Sequence, residues 1–129
     1  MSGYIFYCSE QTEAECLKRS LVGAPQTSAA WAVAIRPGDT LFLYNYETGD
    51  IFGPLAAAST VDCYEPNAWG GRFPVQVRIA AAPVLKSNIT PLRSSLLGSK
   101  ATRPKHTLPD SLVSEVTNWL QNVGKTVQT

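Results

Sequence analysis

The densest run of apolar positions lies between Thr40 and Ser59, where Leu41-Phe42-Leu43-Tyr44 and Ile51-Phe52 flank the polar stretch Glu47-Thr48-Gly49-Asp50. A glycine able to take a positive φ, set among short polar side chains between two β-prone runs, predicts a β-hairpin. Leu41 and Leu43 fall on one face of its first strand and Phe42 and Tyr44 on the other. Both faces are therefore apolar, and the hairpin belongs in a closed or covered sheet. Arg36-Pro37-Gly38-Asp39 is a turn that starts the first strand, while Gly53-Pro54 removes a backbone donor from the second and predicts a bulge or bend.

The same patterning places the other elements. Tyr4 to Cys8 reads as a short buried strand. Thr12-Glu13-Ala14-Glu15 fits a capping box, and a helix over about residues 13–21 follows, with Cys16, Leu17 and Leu21 inward and Gly23 as the stop. Ser28 to Ile35 fits a short helix better than a strand, with Trp31 and Ile35 toward the core. Residues 60–71 have the composition of a surface loop yet carry Trp69, a large apolar side chain to leave on such a segment. Phe73 to Ala82 alternates as a strand, with Val75, Val77 and Ile79 on the core face and Gln76, Arg78 and Ala80 on a polar one. Residues 86–105 are poor in periodicity. Leu108-Pro109-Asp110 opens a last helix over about 110–122, with Leu112, Val113, Val116, Trp119 and Leu120 on one stripe. This order predicts an α+β domain over residues 1–123, a small mixed barrel flanked by helices, with 124–129 as a linker or disordered tail of a longer protein.

Composition changes this picture little. A chain of 129 residues is one domain by size, with 44% apolar residues and no apolar run near the ~18 residues of a membrane span. The expectation is a soluble, cytoplasmic protein without a secretory signal or membrane partner. Cys8, Cys16 and Cys63 show no CxxC spacing and no neighbouring His, as expected of reduced, mostly buried thiols. The net charge of +1 hides an asymmetry: residues 1–65 carry three basic against eight acidic groups, a balance of −5, and residues 66–129 carry eight against two, or +6. From Arg72 to Lys105 there is no carboxylate. A field of one sign attracts an anionic partner where its groups share a face, and is otherwise a solubilising surface.

Catalytic chemistry has little to stand on. His106 is the one histidine, and no nucleophile motif, metal-ligand cluster or phosphate loop accompanies it. The expectation is a non-enzyme with no cofactor and no metal. What stands out is aromatic residues beside polar loop groups: Tyr44, Asn45 and Tyr46 at the end of the hairpin strand, Trp31 before it, and Trp69 ahead of the basic stretch. A planar base can stack between such rings while polar groups read its edge; the alternative is that the rings fill the core.

Several short motifs recur together: Gly3-Tyr4-Ile5-Phe6, then Thr12-x-x-Glu15-Cys16-Leu17-x-Arg19-x-Leu21-x-Gly23-x-Pro25, then Pro37-Gly38-Asp39-x-Leu41-Phe42-Leu43-Tyr44-Asn45, then Ala68-Trp69 and Phe73-Pro74-Val75-Gln76-Val77-Arg78. In this order and spacing they resemble the DCD (development and cell death) domain from about residue 3 to 122, with Val22 standing where that pattern usually has Phe and Val75 where it has Ala. The layout is similar to YTH and EVE domains, which implies a PUA-like fold, a twisted β-barrel of about five to six strands with two to three helices against it. YTH and EVE domains hold a modified base, such as N6-methyladenine or a methylated cytosine, in an aromatic cage.

The resemblance implies that Trp69 is a cage wall and that Cys8, Ser9 and Gln11, after the first strand, touch the base. The loop after the first helix, Val22-Gly23-Ala24-Pro25, matches a cage segment but has no aromatic residue. A second wall then falls to Tyr44, Tyr46 or Trp31, with Asn45 and Pro25 beside them. Arg72, Lys86, Arg93, Lys100, Arg103 and Lys105 are expected to meet phosphates. The resulting expectation is a DNA- or RNA-binding reader that flips one base into a pocket, and that serves as a targeting module fused to another activity, such as a modification-dependent restriction system. The alternative is a protein-interaction or stress-signalling module in which Trp69 and the tyrosines anchor a peptide, with a nucleotide-processing enzyme ranked last.

Overall fold

In the computed structural model, residues 3–80, 84–88 and 107–127 are described. The strands are β1 (Gly3–Cys8), β2 (Leu21–Ala24), β3 (Thr40–Asn45), β4 (Asp50–Ala56), β5 (Val75–Arg78), β6 (Val84–Asn88), β7 (Thr107–Leu108) and β8 (Lys125–Val127). The helices are α1 (Glu10–Arg19), α2 (Ala29–Ala32) and α3 (Asp110–Val123). Six strands form one sheet in the order β7-β1-β3-β4-β6-β8, and β2 pairs with β5 in a second, smaller one. Bridges from Ala57 to Ile79 and from Asp62 to Gln76, with the Ala58 amide donating to the Arg78 carbonyl, tie the small sheet to the end of β4. The α+β class expected from the order of elements is the one observed.

The hairpin strand β3 lies inside the large sheet, parallel to β1 and antiparallel to β4, as burial on both faces demands. Leu41 and Leu43 enter one core together with Phe6, Leu21, Phe52 and Trp69. Phe42 and Tyr44 enter another with Ile5, Ile51 and the inward stripe of α3. The two faces read from the alternation are thus two separate cores, and each fully buried Phe contributes roughly 1.5–3 kcal/mol of transfer free energy. The register shift between Leu41 and Leu43 opposite Gly53 is the irregularity that Gly53-Pro54 predicts.

Several boundaries differ from the sequence reading: the short helix expected over 28–35 spans Ala29–Ala32, and the strand expected over 73–82 is paired over Val75–Arg78. Helix α1 begins one turn early, at Glu10, because Ser9 rather than Thr12 caps it. The Thr12 hydroxyl accepts from the Ser9 amide at 2.9 Å, taking the reciprocal part of the box. It ends at Ser20, which takes the left-handed conformation (φ 51°) and donates to the Cys16 and Leu17 carbonyls. Leu21 to Ala24, read as helix end and loop, instead pairs antiparallel with β5 across Leu21–Arg78 and Ala24–Val75. Lys125–Val127, expected as tail, pairs with Val84–Lys86, because β6 would otherwise leave an open edge. β6 itself lies in a stretch without periodicity. Among the described residues no helix is long and apolar enough to cross a membrane.

Gln76 overturns the expected polar face of β5: it is 1% exposed. Its amide nitrogen donates to the Glu65 and Phe73 carbonyls at 2.9 and 3.0 Å, and its oxygen accepts from the Glu65 amide at 2.8 Å. One side chain thus ties both ends of the 65–73 loop to β5. Gln76→Leu keeps the volume but strands the Glu65 amide and the Phe73 carbonyl, the Glu65 carbonyl keeping the Ala68 amide, and should cost about 1–3 kcal/mol in urea unfolding. An unchanged midpoint would contradict the role given to this side chain.

Candidate functional site

A cavity of about 330 Å³ opens where the carboxyl ends of the parallel strands β1 and β3 meet the start of α1 and the end of β2. That volume is at the lower end of the ~300–1,000 Å³ typical of small-molecule sites. Tyr46 reaches it because its amide donates to the Cys8 carbonyl at 3.1 Å, extending the β1–β3 pairing into the hairpin turn. Tyr7 comes from the end of β1 and Phe73 from the approach to β5, so three rings border the opening. Ser9, Thr12, Thr27 and Ser28 add four hydroxyls, and the Gly23-Ala24-Pro25 backbone lines one side. Among the described residues no carboxylate lines the cavity, and Arg72 is the charged residue that does.

The guanidinium of Arg72 is held at one corner. Its Nε donates to the Trp69 carbonyl at 3.1 Å, and its Cζ lies 5.6 Å from the Phe73 ring centroid. Arg72 is exposed, and no ion pair engages it among the described residues. Trp69 takes a left-handed conformation (φ 51°, ψ 33°), followed by Gly70 and Gly71 with φ of 66° and 79°. A non-glycine residue there costs about 1–2 kcal/mol. The conformation persists because the Glu15 carboxylate accepts from the Trp69 amide at 2.7 Å while also pairing with Arg19 at 3.0 Å.

Of the residues expected to bind a base, Cys8, Ser9, Pro25 and Tyr46 line this cavity, and Arg72, expected at a phosphate, lines it too. The others are placed elsewhere. Trp69 is 4% exposed; its ring packs edge-to-face on Phe73 and fills the space where a β-carbon on Gly23 would meet Trp69 Cζ3 at 2.5 Å. The ring is therefore core behind the cavity, not one of its walls. Trp31 packs on Tyr4 and Phe6, with centroids 6.1 and 5.2 Å away. Tyr44 is buried in the second core against Tyr7. Asn45 is used by the hairpin turn and by α1: its nitrogen donates to Glu13 at 2.9 Å, and its oxygen accepts from the Glu47 and Thr48 amides. Gln11 lies in a separate shallow depression on α1. Lys86 pairs with Asp50 at 3.5 Å and lies over the Phe52 ring. Arg93, Lys100, Arg103, Lys105 and His106 lie outside the described residues.

Sequence reasoning missed Tyr7, Thr12, Thr27, Ser28 and Phe73. Tyr7 was legible as the partly exposed position that follows the buried Phe6, and Phe73 as the aromatic next to Arg72. Thr27 and Ser28 carry no local signal, since only the β2–β5 pairing brings their turn to the cavity.

The thiols are unreactive where they are buried. Burial, reinforced by Cys16 and by the carboxylates of Glu13, Asp50 and Glu47, pushes the Cys8 thiol far above its ordinary value. Burial likewise pushes Cys16 up to about 12. The Trp69 indole N–H makes no hydrogen bond of good geometry, although it lies near enough to Cys16 to favour its ionised form weakly against that burial. Cys63 is exposed. No group of three or more His, Cys, Asp or Glu residues able to hold a metal occurs among the described residues.

This fold has the YTH type of architecture. The Mmi1 YTH domain superposes with a TM-score of 0.76 at 15% identity, covering 94% of this chain and 88% of that one. The Pho92 YTH domain, solved in complex with m6A, superposes at 0.70 with 12% identity over 93% and 83%. The family model described as "Development and cell death domain" matches residues 2–107, and the chain belongs to that family. Relatives include the DCD domain-containing protein NRP-B of Glycine max, 44% identical over 87 residues, and the B2 protein of Daucus carota, 42% identical over 87 residues; each alignment covers 61% of this chain. The chain spans 26% and 42% of the lengths of these two relatives.

Two outcomes test this placement. Trp69→Ala should lower stability by about 3–5 kcal/mol in chemical denaturation, whereas Val33→Ala, at a position 54% exposed, should stay within ~0.5 kcal/mol of the parent. Equal effects would mean that the indole is not core. In native protein a thiol reagent should modify Cys63 alone, and Cys63→Ser should abolish the fast phase. Because the buried thiols titrate above the ordinary 9.0, the unfolded chain ionises them first and stability should fall as pH rises past that value.

Proposed function

We propose that this domain is a nucleic-acid reader that draws one base, extruded from a single strand, into the cavity bordered by Tyr7, Tyr46 and Phe73. The observation that carries the reading is the composition of that cavity: planar rings, hydroxyls, no carboxylate among the described residues, and an exposed guanidinium at its edge. Such a site suits an uncharged planar ring joined to an anionic backbone. Rings supply stacking, hydroxyls and the β2 backbone supply edge hydrogen bonds, and Arg72 supplies a salt-sensitive phosphate contact. Tyr46, 43% exposed, takes the stacking role first assigned to Trp69. The fold neighbours add support, since Mmi1 is solved with RNA and Pho92 with m6A.

The finer reading is a modified base, N6-methyladenine or 5-methylcytosine, recognised by a non-catalytic module that targets a longer protein. The three unpaired thiols fit a reducing, intracellular setting. Fluorescence anisotropy with matched DNA and RNA oligonucleotides, unmodified or carrying either base, at two salt concentrations, tests this. One modification should bind at least tenfold tighter, with Tyr46→Ala costing about 1–3 kcal/mol and Arg72→Gln reducing the salt slope by about one. Absent binding, or salt-independent capture of a peptide in its place, would overturn the reading in favour of a protein-interaction module.

A further inference from the structure

The electrostatics around the cavity are one-sided. On the hairpin side, Glu47 Oε1 accepts from the Glu10 amide at 2.8 Å, so a carboxylate of the chain already sits on the first turn of α1 beside Ser9, Thr12 and Tyr46 of the cavity. Glu10 and Glu13 lie in the same first turn, with Glu13 held by Asn45 at 2.9 Å. A helix start flanked by hydroxyls is otherwise a place where a phosphate binds. On the opposite side stands Arg72, with no carboxylate partner among the described residues and its Nε fixed on the Trp69 carbonyl. The reach of these carboxylates is visible at Cys8 inside the cavity, where Glu13 and Glu47 add to burial in keeping the thiol protonated.

We infer that Glu47 acts as a built-in anion that bars phosphate from the start of α1, so that the anionic part of a ligand lies only on the Arg72 side of the cavity. For the reading given under Proposed function, on which the nucleic-acid part of this inference rests, the phosphodiester then passes over Arg72 and Phe73, and the base edge farthest from it faces Tyr46 and the hairpin turn. Glu47 is a specificity-determining residue in this scheme. It selects by repulsion where Arg72 selects by attraction.

The test uses inorganic phosphate on the ¹⁵N-labelled chain at constant pH. In the parent protein, phosphate should shift the Arg72 and Phe73 amides and leave those of Ser9, Glu10 and Gln11 in place. In Glu47→Ala the Glu10 amide loses its partner and should shift with phosphate. In Glu47→Gln, which keeps an oxygen acceptor but not the charge, it should shift with phosphate as well, because the barrier is the charge and not the cap. Helix amides that follow phosphate in the parent, or stay still in Glu47→Ala, would overturn the inference.

A second arm reads nucleic acid. Both Glu47 variants should tighten a single-stranded oligonucleotide about two- to fivefold at low salt, the size of one exposed charge contact. Glu115→Gln, on the helix that covers the other face of the sheet, should not. Equal gains from Glu47→Gln and Glu115→Gln would reduce the effect to net charge and overturn the local role. Phosphate shifts at Arg72 without oligonucleotide binding by the parent would instead sink the reader while supporting the exclusion at α1.

Discussion

The Trp69 indole lies where Gly23 has no side chain, and this close approach fixes the geometry on which the cavity depends. It needs a bare Cα in β2, a left-handed turn at a bulky residue, and something to hold that turn. Glu15 supplies the hold from the inner side of α1 through the Trp69 amide, and Arg19 carries the same network on to Glu65 at 2.7 Å. Helix, small sheet and loop are thereby locked to one another. Arg72 and Phe73 follow directly from the turn, so the corner of the cavity that carries its cation is placed by a packing contact on its far side.

The large sheet supplies the other half. Parallel pairing of β1 with β3 brings Cys8 beside Asn45 and lets the hairpin turn deliver Tyr46, while the Asn45 oxygen holds that turn and its nitrogen ties it to Glu13 of α1. The opening therefore sits at the carboxyl ends of two parallel strands, against the amino end of a helix, a corner where backbone donors and short hydroxyl side chains converge. Its walls are rings and hydroxyls rather than acid–base pairs.

Much of the fold was legible from local pattern. The two-faced hairpin, the first strand, the last helix and the irregularity at Gly53-Pro54 follow from alternation, capping residues and turn chemistry, and each is present. What pattern did not disclose depends on partners distant in sequence. Leu21 to Ala24 is a strand because Val75 to Arg78 lies beside it, and Lys125 to Val127 is one because β6 offers an edge. Gln76 alternates as a surface residue but is buried, since the loop it ties folds over it. The site was half legible. Cys8, Ser9, Pro25 and Tyr46, expected at a base, and Arg72, expected at a phosphate, border one opening, whereas Trp69, which reads as exposed because turn residues flank it, lies in the core behind that opening. Its burial depends on the absence of a side chain 46 residues earlier, at Gly23.

The central claim is that a base enters this cavity, and the most direct measurement is where it lands. Amide shifts of the ¹⁵N-labelled domain, followed as a single-stranded oligonucleotide carrying N6-methyladenine is added, report that position. The account predicts the largest changes at Cys8, Ser9, Gly23, Ala24 and Phe73, around the rings and hydroxyls. Changes confined to exposed basic residues, with those five amides unmoved, would contradict it.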